Sequence, residues 1–128
     1  MTIKEVSEKY GITQATLRYY ERVGMIPPVT RTTGNVRNYQ ESDLGWVELA
    51  KCLRNAGLTV EAMTEYVRLD QKGRQTIPDR HRLLVEQREI LLKRREQIDQ
   101  AMERLNHKID GYEEGLRTGV LPWEKNER

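Results

Sequence analysis

The stretch Thr16-Leu17-Arg18-Tyr19-Tyr20-Glu21-Arg22-Val23-Gly24-Met25-Ile26-Pro27-Pro28 carries the densest pattern in the chain. It reads as a short helix stopped by Gly24, followed by a Pro27-Pro28 pair that forbids helix. Upstream, Thr13 has the place of an N-cap, so this helix runs from about Ala15 to Val23. Earlier still, Thr2 and Glu5 have capping-box spacing, in which hydroxyl and carboxylate satisfy the free N–H groups of a helix start. Ile3, Val6 and Tyr10 then share a face, and Gly11 is a natural stop. Two short helices joined through a glycine turn form a helix-turn-helix.

Downstream, residues 29–32 and 36–39 are rich in β-branched residues and read as two strands. Thr33-Gly34-Asn35 between them supplies the left-handed backbone of a tight hairpin. A two-stranded hairpin is marginal alone and must lean on the helices. The first part of the chain is therefore expected to be a winged helix-turn-helix. A third helix is expected from about Ser42 to Ala56, closed by Gly57, and a fourth, capped by Thr59, to about Leu69. Asp70 to Gln75 is polar and contains Gly73, which suggests a hinge. Pro78 suits the first turn of a last helix, and no further proline interrupts the chain before Gly119.

Along that last helix Ile77, Leu84, Leu91, Ile98, Leu105 and Tyr112 recur every seven residues. Met102, Ile109 and Leu116 form a second track, which carries Arg88 and Arg95 nearer its start. A sustained seven-residue repeat flanked by charge indicates a coiled coil. A single such helix cannot bury its stripe, and the economical partner is a second copy. Parallel in-register pairing would set Arg88 against Arg88, so an antiparallel arrangement is expected. The alternative is a helix folded back on its own N-terminal domain. The expected fold class is thus mainly α: a winged helix-turn-helix domain over 1–70, a hinge over 71–77, a dimerisation helix over 78–118 forming an antiparallel coiled coil, and a short tail over 119–128.

Composition agrees with that layout. The chain has 128 residues, 33% of them charged and only 37% apolar, with no Phe, which suits exposed helices better than a deep pocket. The net charge is +2, but residues 1–39 hold six Lys and Arg against three Glu, so the first third is the basic part. No apolar run approaches the roughly 20 residues that span a bilayer, and the N-terminus lacks the apolar segment of a signal peptide. Cys52 stands alone and cannot form an internal disulfide, so a cytoplasmic location is expected. Nothing suggests an enzyme: there is no Ser/His/acid set, no phosphate-cradling glycine loop and no metal cluster.

The segment from Thr16 to Pro28, with Gly34-Asn35-Val36-Arg37-Asn38-Tyr39 and Asp43-Leu44, resembles the signature of the MerR family of bacterial transcription regulators. The resemblance covers about residues 1–70, and the long last helix fits the family's dimerisation helix. On the residues themselves, a recognition helix places its N-terminal half in the major groove. Thr13, Gln14 and Thr16 lie there with hydrogen-bonding side chains, and Arg18 reaches a phosphate or a guanine edge. Tyr19 offers its hydroxyl to a phosphate, whereas Leu17, Tyr20 and Val23 suit the domain core. By family analogy Arg31, Arg37 and Tyr39 on the wing reach the flanking backbone. Expected dimerisation residues are Leu84, Leu91, Ile98, Met102, Leu105, Ile109 and Tyr112.

The resemblance also implies a mode of action. Dimers of this family sit on double-stranded promoter DNA whose spacer between polymerase elements is overlong. The effector-bound form bends and untwists it so that RNA polymerase meets both elements. Metal-sensing relatives carry a cysteine pair near the end of the long helix, where this chain has none, and His81 and His107 are too far apart to chelate within one helix; no metal or other cofactor is expected. Drug-sensing relatives carry a further pocket domain, whereas about ten residues follow the helix here. The segment around Cys52 resembles the thiol-based, aldehyde-responsive subgroup, which implies a stress response to reactive electrophiles. On the residues alone an inert, buried cysteine beside Leu49, Leu53 and Ala56 stays open, because Glu48 opposes thiolate formation and helical geometry turns Lys51 and Arg54 away. A non-thiol effector, or a coiled-coil assembly protein, are the alternatives. Trp123, with Leu121 and Pro122, either docks across the dimer or belongs to an unfixed tail.

Overall fold

The computed structural model describes residues 1–126, so the last two residues of the expected 119–128 tail lie outside the described residues. Five α-helices follow one another: α1 (Ile3–Tyr10), α2 (Gln14–Val23), α3 (Glu41–Asn55), α4 (Val60–Lys72) and α5 (Ile77–Thr118). The chain divides into two compact units, Met1–Gln87 and the residues from Arg88 onward.

In the first unit the helix starts follow from side-chain caps. Glu5 N–H donates to the Thr2 hydroxyl at 3.1 Å while Thr2 N–H donates back to the Glu5 carboxylate at 3.0 Å. Thr13 accepts from Thr16 N–H at 3.1 Å, and Thr59 from Ala62 N–H at 3.1 Å. Each such cap supplies about 1 kcal/mol. Gly11 and Gly24 end α1 and α2 in the left-handed conformation, at φ 65° and 84°, which a side chain would strain. Between them α1 and α2 bury Val6, Leu17 and Tyr20 against Ile12, Met25, Ile26, Val29, Tyr39, Val47, Ala50 and Met63, the core of this unit.

The wing differs from expectation. No strand forms among the described residues; the two arms meet in one isolated antiparallel bridge, Arg31 to Arg37. The reason is where the backbone N–H groups go. Val29 N–H donates to the Glu21 carboxylate (2.9 Å), Thr30 N–H to the Asp43 carboxylate (3.4 Å) and Tyr39 N–H to the Met1 carbonyl (2.7 Å). With Arg31 opposite Arg37, the arms keep two ladder bonds, Thr32 N–H to the Val36 carbonyl (2.8 Å) and Asn38 N–H to the Thr30 carbonyl (2.7 Å). The return donors, Thr30 and Val36 N–H, go to Asp43 and to the Thr32 hydroxyl (3.2 Å), while Val29 and Tyr39 turn their N–H groups away from the other arm. The tip closes through Asn35 N–H on the Thr32 carbonyl, and Asn35, not Gly34, is the left-handed residue at φ 61°.

The region expected as a hinge holds the end of α4, then Gly73 at φ 105° and a 3₁₀ turn over Arg74–Thr76. It is tied on all sides. The Thr76 hydroxyl is shared between the carbonyls of Leu69 (2.6 Å) and Gly73 (2.7 Å). Arg80 donates to the Thr76 hydroxyl (3.0 Å), the Asp70 carboxylate (3.1 Å) and the Gly73 carbonyl (3.2 Å). The first turns of α5 belong to this unit: Leu83, Leu84 and Gln87 line one nearly filled gap with Leu53, Leu58, Ala62, Met63 and Tyr66. The first compact unit therefore takes in the start of α5 as far as Gln87.

In the second unit, α5 leaves Ile98, Met102, Leu105, Ile109, Tyr112 and Leu116 exposed along one face. Gly119, at φ 80°, ends the helix, and a 3₁₀ turn over Pro122–Asn126 turns the tail back. Trp123 packs on its own helix. Its ring lies on Gly111 of its own helix, so close that a Cβ there would sit 2.3 Å from the ring, and Leu121 lies on Gly115, 2.7 Å from where its Cβ would be. The ring meets Tyr112 edge-on at 5.3 Å between centroids, and Lys108 Nζ stands 4.0 Å above it. Two glycines four residues apart make the notch that seats the tail, beside the apolar stripe rather than over it.

Candidate nucleic-acid interface

The N-terminal half of α2 presents a polar edge. Thr13, Arg18 and Tyr19 are exposed, and Gln14 and Thr16 half-buried. The Thr13 hydroxyl donates to that of Thr16 at 2.8 Å, and Arg18 donates to the Gln14 side-chain oxygen at 3.4 Å. The geometry thus brings five of the expected residues onto one surface at a helix start, where free N–H groups favour an anion. Leu17 and Tyr20 face the core, as the pattern suggests. Arg22, whose guanidinium stands 5.4 Å over the Tyr19 ring, adds an exposed cation at the far end of the same helix.

On the wing, Arg31 and Arg37 converge on Glu21 of α2. Arg37 Nε donates at 2.8 Å and Arg31 at 3.3 Å to both carboxylate oxygens. Burial alone would lift the Glu21 pKa. The Val29 N–H and the guanidiniums of Arg37 and Arg31 outweigh that and hold the carboxyl below the usual carboxylate range. Sequence reasoning missed Glu21: it lies ten and sixteen residues before its partners, and only the folded wing brings them together.

Tyr39 is a correction. Expected on the wing surface, it is 1% exposed and belongs to the core, and its hydroxyl has no protein partner among the described residues. The chain leaves the wing there through a backbone bond to Met1, which turns the ring inward. Burial holds its hydroxyl above the ordinary tyrosine range.

Cys52 is exposed on α3, which removes the reading as a buried, inert side chain. Its sequence neighbours are engaged elsewhere: Lys51 Nζ donates to the Tyr10 carbonyl at 2.5 Å and Arg54 to the Leu58 carbonyl. Glu48 accepts from the Tyr10 hydroxyl at 2.9 Å. Of the expected dimerisation residues, Leu84 packs partly within the first unit, Leu91 is half-buried, and Ile98, Met102, Leu105, Ile109 and Tyr112 are exposed.

A capped helix-turn-helix with a polar recognition edge, a turn-like wing and a long C-terminal helix defines a DNA-binding transcription regulator. Comparison with known proteins gives the family. The profile of the MerR HTH family regulatory proteins matches residues 1–69. The chain is 48% identical over 92 residues to the HTH-type transcriptional regulator AdhR of Bacillus subtilis (strain 168), taking in 72% of this chain and 66% of that protein. A crystal structure of a protein from Listeria monocytogenes, described as of the MerR family of transcriptional regulators, superposes with a TM-score of 0.88 at 40% identity, over 93% of this chain and 90% of that one. HiNmlR, described as a MerR family regulator lacking the sensor domain and bound to promoter DNA, superposes with a TM-score of 0.84 at 27% identity, over 93% and 94%. The protein belongs to the MerR family; it is a transcription regulator and not an enzyme. No helix among the described residues is long and apolar enough to cross a membrane.

Proposed function

We propose that the protein acts in the cytoplasm as a homodimer on double-stranded promoter DNA with an overlong spacer, and that its distortion of that DNA gives RNA polymerase a usable promoter. The observation that carries the reading is the exposed polar edge of α2. In it Thr13, Gln14 and Thr16 face base edges, Arg18 takes a phosphate or a guanine, and Tyr19 takes a phosphate, with Arg31 and Arg37 on the flanking backbone. The stripe from Leu91 to Tyr112, exposed from Ile98 onward, pairs antiparallel with that of a second copy, which fixes the separation of two reading helices. The relative HiNmlR, bound to promoter DNA, supports this reading.

The test is selection of a duplex from random DNA by the native chain, followed by gel shift with Arg18→Ala. One lost bidentate contact is worth about 1–3 kcal/mol, roughly a 5- to 150-fold loss of affinity per half-site. Sedimentation should still give a dimer. Failure of the native chain to enrich any duplex, or unchanged affinity in Arg18→Ala, refutes the reading.

For the effector, the likeness to AdhR and the exposure of Cys52 favour a thiol that reacts with electrophiles in a stress response. A second reading, a non-thiol effector, is favoured by Lys51 and Arg54, whose charges are spent on carbonyls instead of on a thiolate. Induction of the target promoter by aldehydes in a Cys52→Ser strain separates the two: a lost response assigns the thiol, a retained one the alternative.

A further inference from the structure

The Glu21 carboxylate sits at the root of the wing and touches both of its arms. One oxygen accepts from Arg37 Nε (2.8 Å), the other from Val29 N–H (2.9 Å), and Arg31 reaches both at 3.3 Å. The two arginines are the bridged pair of the wing, so their like charges lie directly opposite one another, an arrangement that is unfavourable by itself. Side-chain exposure falls from 35% at Arg31 and 23% at Arg37 to 11% at Glu21: the carboxylate is the covered end, and the guanidiniums point outward from it. The remaining guanidinium N–H groups take no protein acceptor among the described residues.

We infer that Glu21 is a positioning and specificity-determining residue for DNA binding: it aims the two wing arginines and cancels one of their two charges, so that the wing grips only a backbone whose phosphates arrive in register. The inference rests on the DNA reading given above. Its physical content is a contrast. A flexible pair of arginines carrying two charges attracts any polyanion, whereas a pair held by a carboxylate has a fixed geometry and half the charge. Affinity for arbitrary DNA is set by the number of phosphates neutralised, and sequence preference by how few arrangements satisfy the contacts. Glu21 lowers the first and sharpens the second. As a member of α2 it also ties the wing to the helix that reads the bases.

Glu21→Gln tests this. The amide keeps the size and an acceptor for Val29 N–H, but raises the wing from one net positive charge to two. Each additional neutralised phosphate steepens the plot of log affinity against log salt by about 0.9. Binding of Glu21→Gln to a shuffled duplex should then lose about 3.5-fold more affinity per protomer between 50 and 200 mM salt than the native chain does. The preference for the selected duplex over the shuffled one should fall. Glu21→Asp keeps the charge and shortens the reach, so it should retain the native salt slope while losing preference. Adding Arg31→Gln and Arg37→Gln to Glu21→Gln should abolish the extra slope. An unchanged or shallower slope in Glu21→Gln, with lower melting temperature alone, overturns the inference and leaves Glu21 a structural ion-pair partner. Should circular dichroism find Glu21→Gln unfolded, Glu21→Asp carries the test, and an altered slope there overturns it. A native chain that does not prefer its selected duplex refutes the DNA reading instead.

Discussion

Replacing Gly111 with alanine should change sign of effect depending on whether Trp123 is present. In a helix interior, glycine to alanine stabilises by about 1 kcal/mol. Here the new Cβ would sit 2.3 Å from the Trp123 ring, so the ring must leave the notch. Leaving it forfeits the edge-on contact with Tyr112, worth about 0.5–1.5 kcal/mol, and the Lys108 cation over the ring, about 0.5–1 kcal/mol at an exposed site. The loss of about 1–2.5 kcal/mol meets or exceeds the gain, so Gly111→Ala alone should leave the last turns of α5 no more stable, or slightly less. In a Trp123→Ala chain nothing is displaced, and the same change should stabilise those turns by about 1 kcal/mol. Hydrogen exchange of the amides over residues 108–118 reads both values. In a Trp46→Phe background, where Trp123 is the single indole, Gly111→Ala should also shift emission to the red and raise quenching by iodide. Equal effects of Gly111→Ala with and without Trp123, or unchanged emission, would show that the tail does not occupy the notch.

Two further outcomes follow from burial. Tyr39→Phe removes a covered hydroxyl without a protein partner, whose desolvation costs about 1–3 kcal/mol, so the urea midpoint should hold or rise and DNA affinity should not change; weaker DNA binding would put that hydroxyl on the phosphate backbone after all. Ile98→Asp alters a side chain that is 61% exposed in the single chain, so helicity should persist while sedimentation gives a 15.1 kDa particle and DNA affinity collapses; a surviving dimer would place the interface elsewhere.

What the sequence made legible was local. Thr2 with Glu5, Thr13 and Thr59 announce their helix starts because a cap needs only the next three residues. Gly11 and Gly24 mark the stops for the same reason. What it hid depends on distant partners. The β-branched arms of the wing suggested a ladder, yet Asp43 and the Thr32 hydroxyl take the Thr30 and Val36 N–H groups it would need. Tyr39 had the composition of a surface tyrosine and the environment of a core one. Asp70, Gln71 and Lys72 read as a loop because they are polar, but a helix whose outer face meets water accepts such residues. The seven-residue period correctly marked one face of α5, but periodicity does not say what covers it. Leu84 meets residues of its own α3 and α4, whereas Ile98 and Leu105 are bare in the single chain. The notch made by Gly111 and Gly115 was hidden as well, because it depends on how the chain beyond Gly119 turns back.

The bend after α4 has a bearing on how the chain survives handling. Lys72 and Arg74 offer trypsin two accessible side chains around a glycine, the composition of a cleavable link. Peptide hydrolysis, though, requires the main chain to be drawn out straight into the protease. Here the carbonyls of Leu69, Lys72 and Gly73 are each held by a side chain from further along. Pulling that segment free means breaking those bonds together, so it should outlast many a site that looks, on paper, far less inviting.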